Sequence, residues 1–460
     1  MILKQQIVNK MKKSILTLAA VISISSTMFA QLRATDQTGI NVFETPKTDV
    51  PFTGPKVDFG ASISMPYMAL VNTNNVTNQD PNKNTQALFK SSPNFALSMA
   101  NLYLNSYLAD GVTLNVTLYL ASKHHNETWV KGGYVQFDKI PFIKSELLDN
   151  IMKYTTIKVG QMDVNYGDSH FRRSDGGNGM YNAFMDNYIM DEFATEIGAE
   201  ADVNYNGLIG VVSVTDGNLN PSLAYIDTTQ TSFKYSNGIH NPSWIAKIGY
   251  DKQLSDQFRF RLTGSVYYTA GALSNTLFGG DRTGSNYSAI MYNAAPGTTT
   301  AFGGRFNPGL SDQLTTFMGN LFLNYKPSDQ LSIESFTTLE SASGRTTAEP
   351  KNRNASQFAT DLIFRFGKSQ NLFIGGRYNT VTADVAAMTG TANSTTVQAS
   401  VPAFSIGINR VAISGGWYVT KNLLAKLEYV NQTYSGVPNV NYILNGYQFH
   451  GFSAEAVISF

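Results

Sequence analysis

Between positions 165 and 191 the chain gathers Asp168, His170, Arg172, Arg173, Asp175, Asp186 and Asp191, with Gly176, Gly177 and Gly179 available for tight turns. Carboxylates facing guanidiniums across a narrow, water-filled gap create a transverse field. Such a field orients polar solutes and filters ions by sign. Bond-making chemistry lacks comparable support. Cysteine is absent, which excludes a thiol nucleophile, a disulfide, a thiolate metal site and a lipoprotein anchor. No Gly-x-Ser-x-Gly, His-Glu-x-x-His or phosphate-binding Gly-Lys-Ser/Thr sequence occurs. The run Asp163 to Asp168 has some features of a calcium loop. Its glycine, however, stands at position five instead of six, and Ser174 occupies position twelve, where a glutamate belongs. His124, His125 and Glu127 have ligand-type side chains, but on a surface loop they read as solvated. The chain is expected to be no enzyme and to carry no metal or cofactor.

The elements that must position the charged segment show in a period of two. In Phe258-Arg259-Phe260-Arg261-Leu262-Thr263 one face is oily and the other charged, because successive strand side chains point to opposite sides. Asp361 to Phe366 repeats this apart from Ile363, and Leu372 to Asn379 repeats it again. Sixteen such strands are predicted, at 57–70, 94–108, 111–121, 132–138, 155–164, 192–205, 207–216, 243–253, 257–270, 313–326, 329–341, 356–367, 371–382, 405–418, 422–433 and 448–460. Their connections alternate in length. Short turns such as Asn206-Gly207 and Lys326-Pro327-Ser328-Asp329 alternate with long stretches such as 71–93, 217–242 and 271–312. The connection 139–154, on the short side, reads as a short helix.

Composition agrees. Of 460 residues 15% are charged, against roughly 25% in ordinary proteins, and 34 Lys+Arg balance 33 Asp+Glu. That excludes a disordered chain and a nucleic-acid binder. Residues 1–30 hold Lys4, Lys10, Lys12 and Lys13, no acid, and an apolar stretch from Ile15 to Ile24, the layout of a signal peptide cut after Ala30. Beyond it, 30 basic residues face 33 acidic ones, a net charge near −3. No stretch is long and apolar enough for a spanning helix. An exported chain of sixteen alternating strands is therefore read as all-β: a closed antiparallel transmembrane β-barrel over 57–460, preceded by an extension at 31–56. In hydrocarbon only helices and closed barrels can pair every backbone group. The 24 Tyr and 28 Phe suit girdles at the two lipid boundaries. Tyr103, Tyr107, Tyr119, Tyr267, Tyr268, Tyr325, Trp417, Tyr418 and Tyr429 are the candidates. The final strand alternates to its last residue, with Phe452, Ile458 and Phe460 on one face. It resembles the carboxy-terminal signal that outer-membrane proteins present to the barrel-assembly machinery.

Ile157-Lys158-Val159-Gly160-Gln161-Met162-Asp163, Tyr166-Gly167-Asp168, Arg172-Arg173-Ser174-Asp175, Asn187 to Asp191 and Glu196 to Glu200 resemble the trimeric sixteen-stranded outer-membrane porins related to the phosphate-selective type of Bacteroidota-like bacteria. The resemblance covers 154–218; the rest shares only the pattern. It implies a homotrimer in the outer membrane of a Gram-negative bacterium, in contact with lipid and lipopolysaccharide. It also implies a diffusion pore narrowed by an inward-folded loop, here 165–191, with Asp168, Arg172, Arg173, Asp175, Asp186 and Asp191 at the constriction. Phosphate selectivity is not carried over, since a chain near −3 lacks a basic ladder. Strand parity turns Lys158, Glu196, Glu200, Asp202, Lys247, Arg259, Arg261, Glu334, Glu340, Arg365 and Arg377 inward as the facing wall. On this reading Arg172→Ala with Arg173→Ala shifts the pore toward cations and leaves the trimer folded. Two alternatives stand beside the porin. One is a plugged accessory barrel with companion subunits in a larger envelope complex, for secretion or barrel assembly. The other is an outer-membrane hydrolase, for which no nucleophile–base pair stands out.

Overall fold

The computed structural model describes residues 33–45, 47, 51–77, 87–88, 90–96, 98–121, 128–217, 241–272, 275–278, 287, 290–291, 304–346, 351–388, 400–438, 440 and 442–460. The expected signal peptide and the His124–Glu127 cluster lie outside these.

Sixteen main strands run in chain order: β1 (Lys56–Thr73), β2 (Met99–Ala109), β3 (Val112–Ala121), β4 (Thr128–Phe137), β5 (Thr155–Asp163), β6 (Thr195–Tyr205), β7 (Leu208–Thr215), β8 (Ser243–Ser255), β9 (Phe258–Thr269), β10 (Asp312–Ser328), β11 (Leu331–Arg345), β12 (Asn352–Phe366), β13 (Leu372–Val385), β14 (Phe404–Thr420), β15 (Leu423–Ser435) and β16 (Gln448–Ser459). Each pairs antiparallel with its sequence neighbours in one sheet. β1 closes the ring. Its first half pairs with β2, from Lys56 opposite Tyr107 to Ser64 opposite Met99. Its second half pairs with β16, from Ser62 opposite Ser459 to Thr73 opposite Gln448. All sixteen predicted strands are present. The sequence missed one break: the expected 94–108 strand is divided into a two-residue segment, Asn94–Phe95, that pairs with Tyr67 and Met68, and β2 proper.

Burial follows the period of two with the usual chemistry inverted. Outward residues are exposed and apolar, among them Ile248, Leu262, Phe317, Leu339, Ile374 and Ile413. Inward residues are buried and polar or charged, among them Lys247, Arg261, Glu334, Asp361, Arg377 and Glu428. An apolar exterior around a polar interior suits a hydrocarbon surround. Phe452, Ile458 and Phe460 point outward, and Phe460 exchanges both backbone hydrogen bonds with Ala61, each 2.9 Å. Half of the girdle expectation needs correction. Tyr268, Tyr325, Trp417 and Tyr429 are exposed outside. Tyr267 and Tyr418 are buried inside, where their hydroxyls meet Glu196 and the Met180 carbonyl. Tyr103, Tyr107 and Tyr119 share the inward register with Asn101 and Asn105. Parity, not ring type, decided their side.

The connection before β5 forms the expected helix, α1 (Glu146–Met152), capped by Ser145, whose hydroxyl accepts from the Leu148 amide.

Candidate functional site

The segment between β5 and β6 folds into the barrel. Its neck is closed by the Val164 amide donating to the Ala194 carbonyl at 3.0 Å. Two short 3₁₀ turns, Ser169–Arg172 and Asp175–Met180, shape its course. Its apolar residues give the driving force. Tyr166, Met180, Phe184, Met185, Ile189 and Met190 are buried in one cluster with the inward-pointing Ile363, Phe373, Val381, Leu424 and Val430. Ile363, which broke the alternation, points inward by parity, and its apolar side chain is accommodated there because the loop covers it.

Irregular backbone away from water needs partners for its polar groups. The wall supplies them. Side-chain oxygens of Ser265, Asn320, Glu428, Asn379 and Gln357 accept from the amides of Gly167, Asp168, Met185, Ile189 and Met190 at 2.7–3.1 Å. Lys426 donates to the carbonyls of Gly179, Asn182 and Phe184 at 3.1–3.2 Å. Arg377 donates to the Asp186 carbonyl at 2.7 Å and Arg410 to that of Asn187 at 2.6 Å. The loop therefore lies along the inner face from β9 round to β15.

The charges expected to face a passage are mostly consumed in this attachment. Asp168 takes a forked bond from Arg261 (2.8 and 2.7 Å), one from Thr263 (2.7 Å) and the Lys247 ammonium at 3.1 Å. Arg377 forks onto Asp361 at 2.7 and 2.8 Å and lies over the rings of Phe184 and Tyr188. Arg365 pairs with Glu334 at 2.7 Å, and Arg259 with Asp251 at 2.7 Å. Arg173 pairs with Asp191 and lies over Phe193. Arg172 donates to the Asn41 side chain at 2.5 Å and covers the Phe336 ring. Arg410 stands 3.6 Å from Asp186. Glu196 accepts from Thr215 (2.5 Å) and Tyr267 (2.9 Å). Of Asp175 the backbone alone is described, in the second 3₁₀ turn.

A second element enters the lumen from residues 33–47, which had no assigned role. Gln37 bonds the carbonyls of Ser369, Gln370 and Lys421, all on short turns. Arg33 donates to the Gly39 carbonyl at 2.7 Å and the Phe171 carbonyl at 2.5 Å, and stacks 3.5 Å over Tyr181. Phe43 packs among Tyr188, Phe322, Phe336 and Ala359. Glu44 meets Lys247 at 3.3 Å and Arg261 at 2.7 Å. Lys47 reaches the Asp138 carbonyl at 2.8 Å, beside α1. This strap crosses the short-turn half of the barrel and pins the loop. Burial alone would raise the Glu44 carboxyl; Lys247 and Arg261 overcome it and hold the group at about 2. Burial, with Lys247 close by, lowers the His170 imidazole to about 3, so it stays neutral.

What the loop and strap leave open is a cavity of about 1000 Å³ against the β1–β6 wall. Loop residues His170, Phe171, Asn178 and Tyr181 line one side, with Phe43 and Glu44 of the strap. Opposite stand Asn101, Tyr103, Asn105, Asn115, Thr117, Tyr134 and Gln136, then Lys158, Glu200 and Asp202. Lys158 pairs with Glu200 at 2.8 Å and Asp202 at 2.7 Å. Of the predicted site residues, Lys158, Glu200 and Asp202 line this cavity. Asp168, Arg172, Arg173, Asp186, Asp191, Glu196, Lys247, Arg259, Arg261, Glu334, Glu340, Arg365 and Arg377 stand apart from its lining. Sequence reasoning passed over the amide row on β2 and β3, although Asn101, Asn105 and Asn115 sit at inward positions of the same alternation.

No protein-family profile matches the sequence, and a search of curated proteins finds no match. Solved structures do align with it. An anion-selective porin from Comamonas acidovorans matches 88% of this chain and 100% of its own, at 8% identity and TM-score 0.48. The outer membrane channel DcaP of Acinetobacter baumannii matches 88% and 98%, at 12% identity and TM-score 0.46. OmpT, an outer membrane protein of Vibrio cholerae, matches 89% and 99%, at 11% identity and TM-score 0.45.

Proposed function

We propose that this chain is an outer-membrane porin through which ions and small polar solutes diffuse passively. The carrying observation is the polar cavity of about 1000 Å³ bounded by the β1–β6 wall on one side and by loop and strap on the other. The 165–191 loop is the constriction. Arg172 and Arg173 hold its shape from behind, and Lys158, Glu200, Asp202 and Asp58 stand on the wall that solutes pass. Five cations and six carboxylates line the cavity, so weak ion selectivity is expected. The barrel sits in lipid and lipopolysaccharide of a Gram-negative envelope as a homotrimer. Assembly machinery recognises the strand that ends in Phe460.

The bulk of loop and strap inside the barrel also favours a second reading, a plugged accessory barrel. Purified protein in planar bilayers decides between them. Stepwise openings, with a reversal potential near zero in a salt gradient, are the expected result. Sustained silence from folded, correctly inserted protein overturns the porin and favours the plug.

A further inference from the structure

The inner wall of β2–β4 differs in kind from the rest of the barrel. Asn101, Tyr103, Asn105, Thr113, Asn115, Thr117, Tyr134 and Gln136 share the inward register, and none carries a charge. Asn105 stands directly opposite Asn115, and Asn115 opposite Tyr134. The row continues to Gly160, whose φ of +136° suits glycine and where a Cβ would lie 2.5 Å from the Gly133 carbonyl and 3.1 Å from Cβ of Tyr134. Tyr103 of this row donates to Asn178 and Gln136 to Asp138. Asn115 makes no such bond. It is 5% exposed, and neither its side-chain oxygen nor its nitrogen has a partner among the described residues. A buried, unsatisfied amide costs roughly 1–3 kcal/mol and demands an explanation.

We propose that this row is a binding strip for uncharged polyhydroxylated solutes, small saccharides in particular. The inference rests on the porin reading and names its solute class. A primary amide offers donors and an acceptor side by side, and a sugar hydroxyl is both donor and acceptor, so vicinal hydroxyls match the Asn105–Asn115 row. The ring's C–H faces need apolar, flat partners. Across the cavity Phe171 lines the opposite side, with Tyr103 and Tyr134 on the wall itself. Tyr103 is anchored by donating to Asn178 of the loop at 2.7 Å, which fixes its ring beside the amides. The charges nearest the row are engaged: Lys56 pairs with Asp58 at 2.8 Å, Lys158 with Glu200 and Asp202, and Lys131 lies 4.7 Å over the Phe193 ring. An ion therefore gains little here over water, whereas a neutral polyol gains a preorganised set of hydrogen bonds.

The test uses the full mature protein in planar bilayers, with raffinose as probe and a polyethylene glycol of equal hydrodynamic size as control. The glycol is neutral but donates almost no hydrogen bonds. Raffinose is expected to reduce the salt current along a saturating curve, the glycol along a shallow, non-saturating one. In Asn105→Leu with Asn115→Leu, the half-saturating raffinose concentration should rise about tenfold, the equivalent of losing one to two hydrogen bonds. Identical titrations by raffinose and glycol in wild type overturn the strip and leave the porin standing; this arm needs no variant to fold. An unchanged half-saturation in the variant also overturns it. Channels that never open refute the porin reading itself, and the strip with it.

Discussion

The two halves of the inner wall solve different problems with the same alternation. From β8 to β15 the inward side chains include guanidiniums, ammoniums and carboxylates such as Arg377, Lys426 and Glu428, and with Asn320, Gln357 and Asn379 they hold a loop. From β2 to β4 they are mostly amides, phenols and hydroxyls, and they line the cavity. Inward residues of both halves are polar, so a simple barrel would make them interchangeable. They are not, because the loop lays most of its apolar side chains over one half and reaches the other through the turn that carries Asn178. That half needs strong, directional donors for carbonyls such as those of Asp186 and Asn187, and counter-ions for each donor. The other half lines the cavity, with Asn115 left without a partner among the described residues.

Breaking the covered half should have the largest effect. Arg377→Ala strands the buried Asp361 and frees the Asp186 carbonyl, at a cost of about 3–5 kcal/mol. Urea titration of the folded barrel, followed by heat-modifiable gel mobility, checks this. A loss below about 1 kcal/mol would mean the loop is not held as described. Arg173→Ala should act in the same way through Asp191, lowering stability before it changes ion selectivity. A reversal-potential shift at unchanged stability would return Arg173 to the passage.

Acid gives a graded version. The Glu44 carboxyl is depressed to about 2, so its contribution is fully present above its unfolded value near 4.5. It is lost as pH falls from there through about 2. Strap attachment should weaken across that window, seen as faster proteolysis within 33–47, and Glu44→Gln should show the acid behaviour already at neutral pH. A flat pH response would separate Glu44 from the cations of Lys247 and Arg261. The smallest effect belongs to the open half. Thr117→Val on β3 should leave stability within about 0.5 kcal/mol. A loss as large as that from Arg377→Ala would erase the distinction between the halves.

Much of this was legible in the residues. Alternation located all sixteen strands, because a lipid face and a lumen face impose the same period on each. It also turned Lys158, Lys247, Arg261, Glu334, Arg365 and Arg377 inward, and connection length marked 165–191. What alternation cannot express is who covers whom. A strand shows that Arg261 is on the lumen side; that Asp168 meets it there depends on how a distant loop drapes. Hence Arg172 and Arg173, conspicuous on paper, bond Asn41 and Asp191 away from the cavity lining, while neutral Asn105 and Asn115 line it. The strap was missed because it has neither period nor motif, only Phe43, Glu44 and Arg33 spaced to reach separate partners.

The closure of β1 on β16 bears on biogenesis. The strand that leaves the ribosome first finds its second flank in the strand that leaves last, Ser62 meeting Ser459. Until those final dozen residues arrive, the sheet has two bare rims, each a row of unpaired amides and carbonyls ready to stick to whatever strand is near. Loss of that final strand would thus leave the sheet unclosed and not merely shorter. The folding polypeptide must be kept from zipping to its neighbours until its own tail is delivered.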